Sequence, residues 1–327
     1  MMLPKVSIIV CTCNRVDSLR ETIGSVGHCR NAEDFPSELI IVDNGPSDAT
    51  RGAVVSSYLE NGIPVRYIEE SRLGKGFAYN TGMAEARGGV FLFTDDDVRV
   101  PTDWIERMCR PILSGVCDAV IGGIRLAEHL RRDWMTPRHR VLLAENIDDV
   151  DGTFLTGANM AFSASVLERV PGFDPELGPG ALGFGDDTLF STQIREAGYR
   201  IMPLRDCVVE HHFDSSRLSR KAFKERAYKE GRSIAFGRYH HGHETVPAPL
   251  LYSMKRRLRL AYERTRHWQD SRAREGIPLW ELDIITSIGF FDEMHRLRGQ
   301  ARKFPKATEA APVLAGAPRE VEGSSAA

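Results

Sequence analysis

Hydrophobic and polar positions fall into short alternating blocks along the first hundred residues. Four apolar runs, Val6-Ser-Ile-Ile-Val10, Glu38-Leu-Ile-Ile-Val42, Val65-Arg-Tyr-Ile68 and Val90-Phe-Leu-Phe93, read as buried strands, being β-branched or aromatic and bounded by turn residues. Helical spacing separates them. Leu19, Thr22, Ile23 and Val26 recur one turn apart after a cap at Asp17 or Ser18. Ser47-Asp48 caps a second helix through Val54, Val55 and Leu59, and a glycine loop at Leu73-Gly-Lys-Gly76 feeds a third that stops near Gly88-Gly89. Strands alternating with helices predict βαβ units, right-handed crossovers and a mostly parallel sheet. In such sheets ligands sit outside the carboxyl ends of the strands.

Beyond residue 100 the pattern loosens. A helix is expected around Asp103-Trp104-Ile105 and a strand over Ala119–Ile124. Arg125–Asp151 is a charged, irregular insertion carrying His129, Trp134 and His139. Phe154–Phe162 returns to a strand, and Ser163 or Ser165 caps a short helix. Pro171–Gly185 forms a glycine-dense lip, and Asp186 opens a helix that Gly198 stops. Tyr199–Pro203 and Cys207–His212 read as two closing strands.

From Arg217 to Arg274 there are 16 Lys or Arg against 5 Asp or Glu. Within this region, Ser253–His267 sets Met254, Leu258, Leu260, Ala261 and Tyr262 among Lys255, Arg256, Arg257, Arg259, Arg264 and Arg266. The favoured reading packs that apolar stripe on the main domain under a solvated basic face. The other lays the helix on an anionic membrane surface or a charged partner. The stretch after Pro305 is rich in Ala, Pro, Glu and Ser and is expected to be disordered. The expected organisation is a domain over 1–215 with halves at 1–100 and 101–215, a basic helical region over 216–304, and a tail over 305–327.

Composition narrows the function. Hydrophobic content of 42% and charged content of 27% over 327 residues are ordinary for a globular chain. A net charge of −2, from 43 basic and 45 acidic residues, argues against a general nucleic-acid binder. No apolar run reaches the roughly 18 residues of a membrane span, and no export signal opens the chain. A cytoplasmic protein is expected, with peripheral contact at the inner face of the membrane through basic helices over 217–274 as a second possibility. The six cysteines then read as reduced packing residues.

Candidate chemistry gathers at the strand ends. Thr12, Asn14, Arg15, Asp43, Asn44 and the triplet Asp95-Asp96-Asp97 all follow apolar runs, which places them at one end of the sheet. Three adjacent carboxylates cannot be buried as bare anions. A divalent cation with a phosphorylated ligand resolves that conflict, since hard ions prefer oxygen ligands.

Four segments, Val6-Ser-Ile-Ile-Val-Cys-Thr-Cys-Asn-Arg15, Ile40-Ile-Val-Asp-Asn-Gly45, Thr94-Asp-Asp-Asp97 and Phe184-Gly-Asp-Asp-Thr-Leu-Phe190, occur in an order and at gaps that resemble the family 2 glycosyltransferases. The likeness covers residues 3 to 215 and implies a GT-A fold: an α/β, Rossmann-like sheet flanked by helices, here with a helical C-terminal extension. It implies an inverting transfer of one sugar from a nucleotide-sugar, a UDP-sugar first and dTDP or GDP sugars next, aided by Mn²⁺ or Mg²⁺. Carried over by position, it implies that Thr12, Asn14, Arg15, Asp43 and Asn44 border the nucleotide's base and ribose. Gly74, Lys75 and Asn80 would border base and phosphates. Asp95 and Asp97 match the ends of the family's Asp-x-Asp motif as metal ligands, with Asp96 on ribose or supporting its neighbours. Asp187, beside Asp186, matches the general base, and His211 matches a metal-site histidine, with His212 the fallback.

The chain departs from the family in places. Cys11 and Cys13 stand where Pro and Tyr are usual, Asp186 replaces the commoner Glu, and Leu189 replaces another acid. A Gln-x-x-Arg-Trp motif, typical of processive synthases, is absent, which favours single-sugar transfer. The competing readings are a sugar-nucleotide-binding pseudoenzyme or scaffold and a nucleotidyltransferase. The latter would carry a glycine-rich basic signature after the first strand, and Cys11-Thr-Cys-Asn-Arg15 lacks it. No Gly-x-Gly-x-x-Gly follows that strand either, which excludes a dinucleotide oxidoreductase. The acceptor's walls are expected in the insertion, the lip and the C-terminal helices. A saccharide, a lipid-linked glycan, a protein side chain or a small molecule would each suit them.

Overall fold

Two layers of apolar side chains grow from the alternation within the first strand. In β1 (Val6–Thr12), Val6, Ile8 and Val10 join one core cluster while Ile9 and Cys11 join another. The first layer is completed by Leu19, Ile23 and Val26 of α1 (Val16–Gly27). The second takes Tyr79 and Met83 from α3 (Lys75–Glu85), which follows α2 (Asp48–Val55) in the chain. On one side of β1 lie β2 (Ser37–Asp43) and then β3 (Val65–Glu69), on the other β4 (Val90–Asp95), all parallel. Cover on both faces explains why β1, β2 and β4 are largely apolar rather than alternating, while the edge strand β3 is only half-buried.

The computed structural model describes residues 5–30, 34–55, 62–147 and 154–305. These belong to two compact units, Met1–Arg217 and Leu218–Ala327. Leu59, the end of the insertion at 148–151 and the expected disordered tail from 306 onward lie outside the described residues. Among the described residues no helix is long and apolar enough to cross a membrane.

The second half of the sheet differs from the parallel first half. After the two-residue β5 (Val98–Arg99) and α4 (Trp104–Leu113) comes β6 (Ala119–Leu126). The insertion holds α5 (Pro137–Leu142), capped reciprocally by Thr136 and His139. Next come β7 (Met160–Ser163), α6 (Asp186–Glu196) and β8 (Ile201–His211). The strand order is β3-β2-β1-β4-β7-β6-β8-β5, with β7 antiparallel to both its neighbours and β5 antiparallel to β8.

Three expectations change here. The strand expected over Phe154–Phe162 is confined to Met160–Ser163, because Asn159 N–H turns back to Thr156 O. The two closing strands are one, β8, since Arg205, Asp206 and Cys207 bulge within it instead of ending it. Gly122 pairs with Leu204 but Gly123 with Val208. The Asn159 amide pins this bulge by donating to Gly123 O and Cys207 O, both at 2.9 Å, while Trp104 Nε1 donates to Asn159 Oδ1.

The third change concerns the C-terminal unit, built from α7 (Arg220–His240), α8 (Pro249–Arg266) and α9 (Leu279–Leu297). α7 and α9 pack backbone to backbone, so that a Cβ on Gly231 would lie 1.9 Å from Thr286 O. Glu281 of α9 is fully buried and paired with Arg220, with Lys224 at 3.7 Å and with Arg264 at 2.7 Å. Asp292, half-buried, accepts from Ser253 at 2.5 Å and Arg257 at 2.6 Å. The favoured expectation for α8 is therefore overturned. Ser253, Arg257 and Arg264 turn toward the carboxylates of α9, and Met254, Leu258 and Tyr262 are exposed. A buried carboxylate needs a cationic partner more than a leucine needs cover.

Candidate active site

The site begins where β4 ends. Asp95 closes the strand, Asp96 and Asp97 make a turn, and β5 pairs with the end of β8 so that Val98 lies opposite His211. That pairing sets Asp97 beside the imidazole. Asp95, Asp97 and His211 each offer one ligand atom, all within 4.8 Å of one another. His211 Nδ1 lies 3.2 Å from Leu143 O, a group that only accepts, so Nδ1 donates there and Nε2 is the nitrogen turned toward the carboxylates. Asp97 Oδ1, 3.2 Å from that Nε2, is buried and makes no aligned hydrogen bond. Two carboxylates and an imidazole around an unsatisfied buried oxygen fit Mn²⁺ or Mg²⁺. His212 stands apart from the cluster, 3.3 Å from Glu210.

Two arginines serve the same carboxylates. Arg15 reaches Asp97 Oδ2 at 2.8 Å and Asp96 Oδ1 at 3.1 Å. Arg217 reaches Asp97 Oδ2 at 3.2 Å, its guanidinium 4.6 Å above the Phe213 ring. Burial pushes the Asp97 carboxyl up, but His211, Arg15 and Arg217 outweigh it and hold it well below the usual carboxylate range. Asp96 is wholly buried and accepts from Thr12 Oγ1 at 2.7 Å. Burial, opposed by Arg15, raises it to about 7. Thr12 and Asp96 thus fix the turn that aims their neighbours. Arg217 was not singled out by the sequence except as the start of a basic stretch. Its place six residues after His211 is the one signal that could have found it.

A second carboxylate pair faces the first across Lys75. Gly185 holds the N-cap position of α6, so Asp186 and Asp187 are not the helix's cap. The lip folds tightly onto Asp186. Gly178 has φ +77°, and a Cβ there would sit 2.7 Å from the Asp186 carboxylate. Asp187 Oδ2 accepts weakly from Gly157 N–H at 3.4 Å. A Cβ on Gly157 would meet the Tyr79 hydroxyl at 2.3 Å and Lys75 Nζ at 3.0 Å, so glycine is needed for this close approach. Lys75 Nζ lies 2.5 Å from Asp95 Oδ1. Burial works against its charge, but Asp95, Tyr79 and Asp186 outweigh it and raise the ammonium well above its usual range. Burial first, and the Asp186 charge second, push Asp187 up to about 7 against the pull of Lys75. Asp186 is raised as well, by burial.

The remaining strand-end residues spend their hydrogen bonds on loop architecture. Asp43 accepts from Gly45 N–H, Ser47 N–H and the Tyr67 hydroxyl. Asn44 donates to Glu70 O and Arg72 O and accepts from Gly74 N–H, which shapes the glycine loop. Asn80 clamps the lip, donating to Phe173 O and accepting from Phe173 N–H. Asn14 is exposed in the left-handed region, at φ 56°.

A sheet of this order, curled and flanked by helices, is that of the GT-A glycosyltransferases. The mannosyltransferase PcManGT from Pyrobaculum calidifontis, solved with GDP-Man and Mn²⁺, superposes with a TM-score of 0.54 at 22% identity, covering 73% of this chain and 64% of that one. The chain belongs to glycosyltransferase family 2, whose profile, Glycosyl transferase family 2, matches residues 7–170. Glycosyltransferase AglE of Haloferax volcanii is 29% identical over 125 residues, 37% of this chain and 39% of that protein. Glycosyltransferase GlyA of Streptococcus pneumoniae serotype 4 is 26% identical over 119 residues, 36% of this chain and 16% of that protein. The chain therefore matches well under half the length of either relative.

Proposed function

We propose that this protein moves one sugar from a nucleoside-diphosphate sugar to an acceptor hydroxyl in a single displacement that inverts the anomeric centre. What carries the reading is the meeting of Asp95, Asp97 and His211 with the Asp186–Asp187 pair, Lys75 lying between them. Asp95, Asp97 and His211 would hold Mn²⁺ or Mg²⁺, which when bound neutralises charge developing on the departing diphosphate.

The chain's own groups do the rest. Arg15 and Arg217 place fixed positive charge beside the same carboxylates, where the diphosphate gathers negative charge. Asp187 takes the proton from the acceptor hydroxyl as its oxygen attacks the anomeric carbon opposite the leaving group. The new carbon–oxygen bond forms as the bond to the diphosphate breaks. A carboxyl raised to about 7 is matched to that task near neutral pH. Lys75, 2.5 Å from Asp95, partly offsets the negative charge that Asp95 adds beside the catalytic pair. The Pyrobaculum fold neighbour was solved with a donor and an ion of this class.

The test is nucleoside diphosphate release from UDP-, GDP- and dTDP-sugars, with Mn²⁺ and with EDTA. Release from one donor with Mn²⁺ and none with EDTA is expected. Addition of an acceptor should give a product one sugar heavier. Binding without release would point to a missing acceptor, while no binding of any donor would favour a pseudoenzyme or scaffold.

A further inference from the structure

Helix α8 turns its apolar side outward. Leu251, Met254, Leu258 and Tyr262 are 51%, 54%, 72% and 63% exposed. They recur every three or four residues and so form one stripe along the helix. Leu250 and Trp268 extend it at either end, each 50% exposed. The opposite side is occupied, since Ser253, Arg257 and Arg264 bond to Asp292 and Glu281 of α9. Lys255, Arg259 and Arg266 lie along one flank of the stripe by the same helical spacing. Glu263 is the one acid on the helix against six basic residues.

We propose that this face docks on an anionic lipid surface, the helix lying in the plane of the headgroups with its stripe among the acyl chains. An apolar stripe flanked by Lys and Arg, with Tyr and Trp at its borders, has the chemistry of an interfacial helix. Charge decides against a second copy of the chain. A two-fold contact sets the same patch against itself and would press the basic flanks together. Over 218–305, with the acids of α9 counted, 19 basic residues stand against 10 acidic ones, an excess that adds long-range attraction to phosphate headgroups. The inference is independent of the reaction proposed above.

Sedimentation of the full chain with vesicles tests it. The protein should pellet with equal parts phosphatidylcholine and phosphatidylglycerol, stay in solution with phosphatidylcholine alone, and be released by raised salt. Replacing Met254 and Leu258 together by Asp should weaken partitioning at least about tenfold. Lys255→Glu with Arg259→Glu should weaken it about a hundredfold. All four sites are exposed, so an unchanged melting curve is expected in each variant. No pelleting of the wild type with anionic vesicles, or equal pelleting of the variants, overturns the proposal. So does a solution dimer that Leu258→Asp dissolves in a protein that ignores vesicles, which would assign the stripe to a second copy.

Discussion

Replacing Asp187 by Asn separates what this carboxylate does for the reaction from what it costs the fold. Burial and Asp186 raise it from 3.8 to about 7. At about 1.4 kcal/mol per unit, that is an upper figure of about 4 kcal/mol for ionising it in the folded state. Because Asp186 shares the perturbation, about 2 kcal/mol is a fairer expectation for one residue. The sign follows from linkage. The folded protein holds this proton more tightly than the unfolded chain, so wild-type stability falls as pH rises from about 4 to about 7 and then levels. Asn removes that loss and can still accept from Gly157 N–H. Asp187→Asn should therefore melt about 4–8 °C above the wild type at pH 8, with only about a third of that gain at pH 5. Its donor-dependent turnover should fall about 10²–10⁴-fold while donor affinity is kept. The wild-type rate should rise with pH through about 7, a limb the variant lacks. Scanning fluorimetry at the two pH values and diphosphate release with Mn²⁺ measure both halves. Turnover within tenfold of wild type, or a variant no more stable at pH 8, refutes the reasoning.

Three further outcomes are expected. His211→Ala should weaken Mn²⁺ binding, read by calorimetry, about a hundredfold, since it removes one of three ligand atoms. Arg217→Ala should leave Mn²⁺ affinity equal or tighter, because Asp97 loses a competing cation, while donor turnover falls about ten- to a hundredfold. A parallel loss of ion binding would instead mark Arg217 as structural. Glu281→Ala strands Arg220, Lys224 and Arg264 against α9, and urea unfolding should show a loss of about 3–5 kcal/mol. A neutral effect would mean that water already serves those cations.

Strands β1, β2 and β4 were legible because each is buried on both faces, so its composition alone marks it, while the half-buried edge strand β3 showed only as a short apolar run between turns. The acids at their ends were legible for the complementary reason, since Asp95-Asp96-Asp97 after Phe93 has no place in an apolar layer. Strand β5 was not. Two residues carry no periodicity, and Val98–Arg99 is a strand only because β8 comes alongside. The joining of β8 was hidden in the same way, its bulge resembling a turn until Asn159 is seen holding it. For α8 the spacing of apolar residues was visible but its direction was not. Direction was set by Glu281 and Asp292 on another helix, whose need for cations no window on α8 itself contains. Asn44 and Asn80 show the reverse limit. Their positions pointed to a ligand, and their amides are committed to the loop and the lip.

The bulge in β8 works as a length gauge. Along the first part of the β6–β8 ladder Ala119 faces Ile201, and that offset carried onward would set Val208 opposite Leu126. Because Arg205, Asp206 and Cys207 intervene, His211 arrives there instead. An odd number of added residues also exchanges the two faces of the strand beyond it, which decides the side from which the imidazole projects. The place of His211 in the proposed metal site is therefore set by a count of residues in a segment outside that site. Deleting one residue at 205–207 would shift His211 along β6 and turn its side chain to the other face, whatever residues remain there.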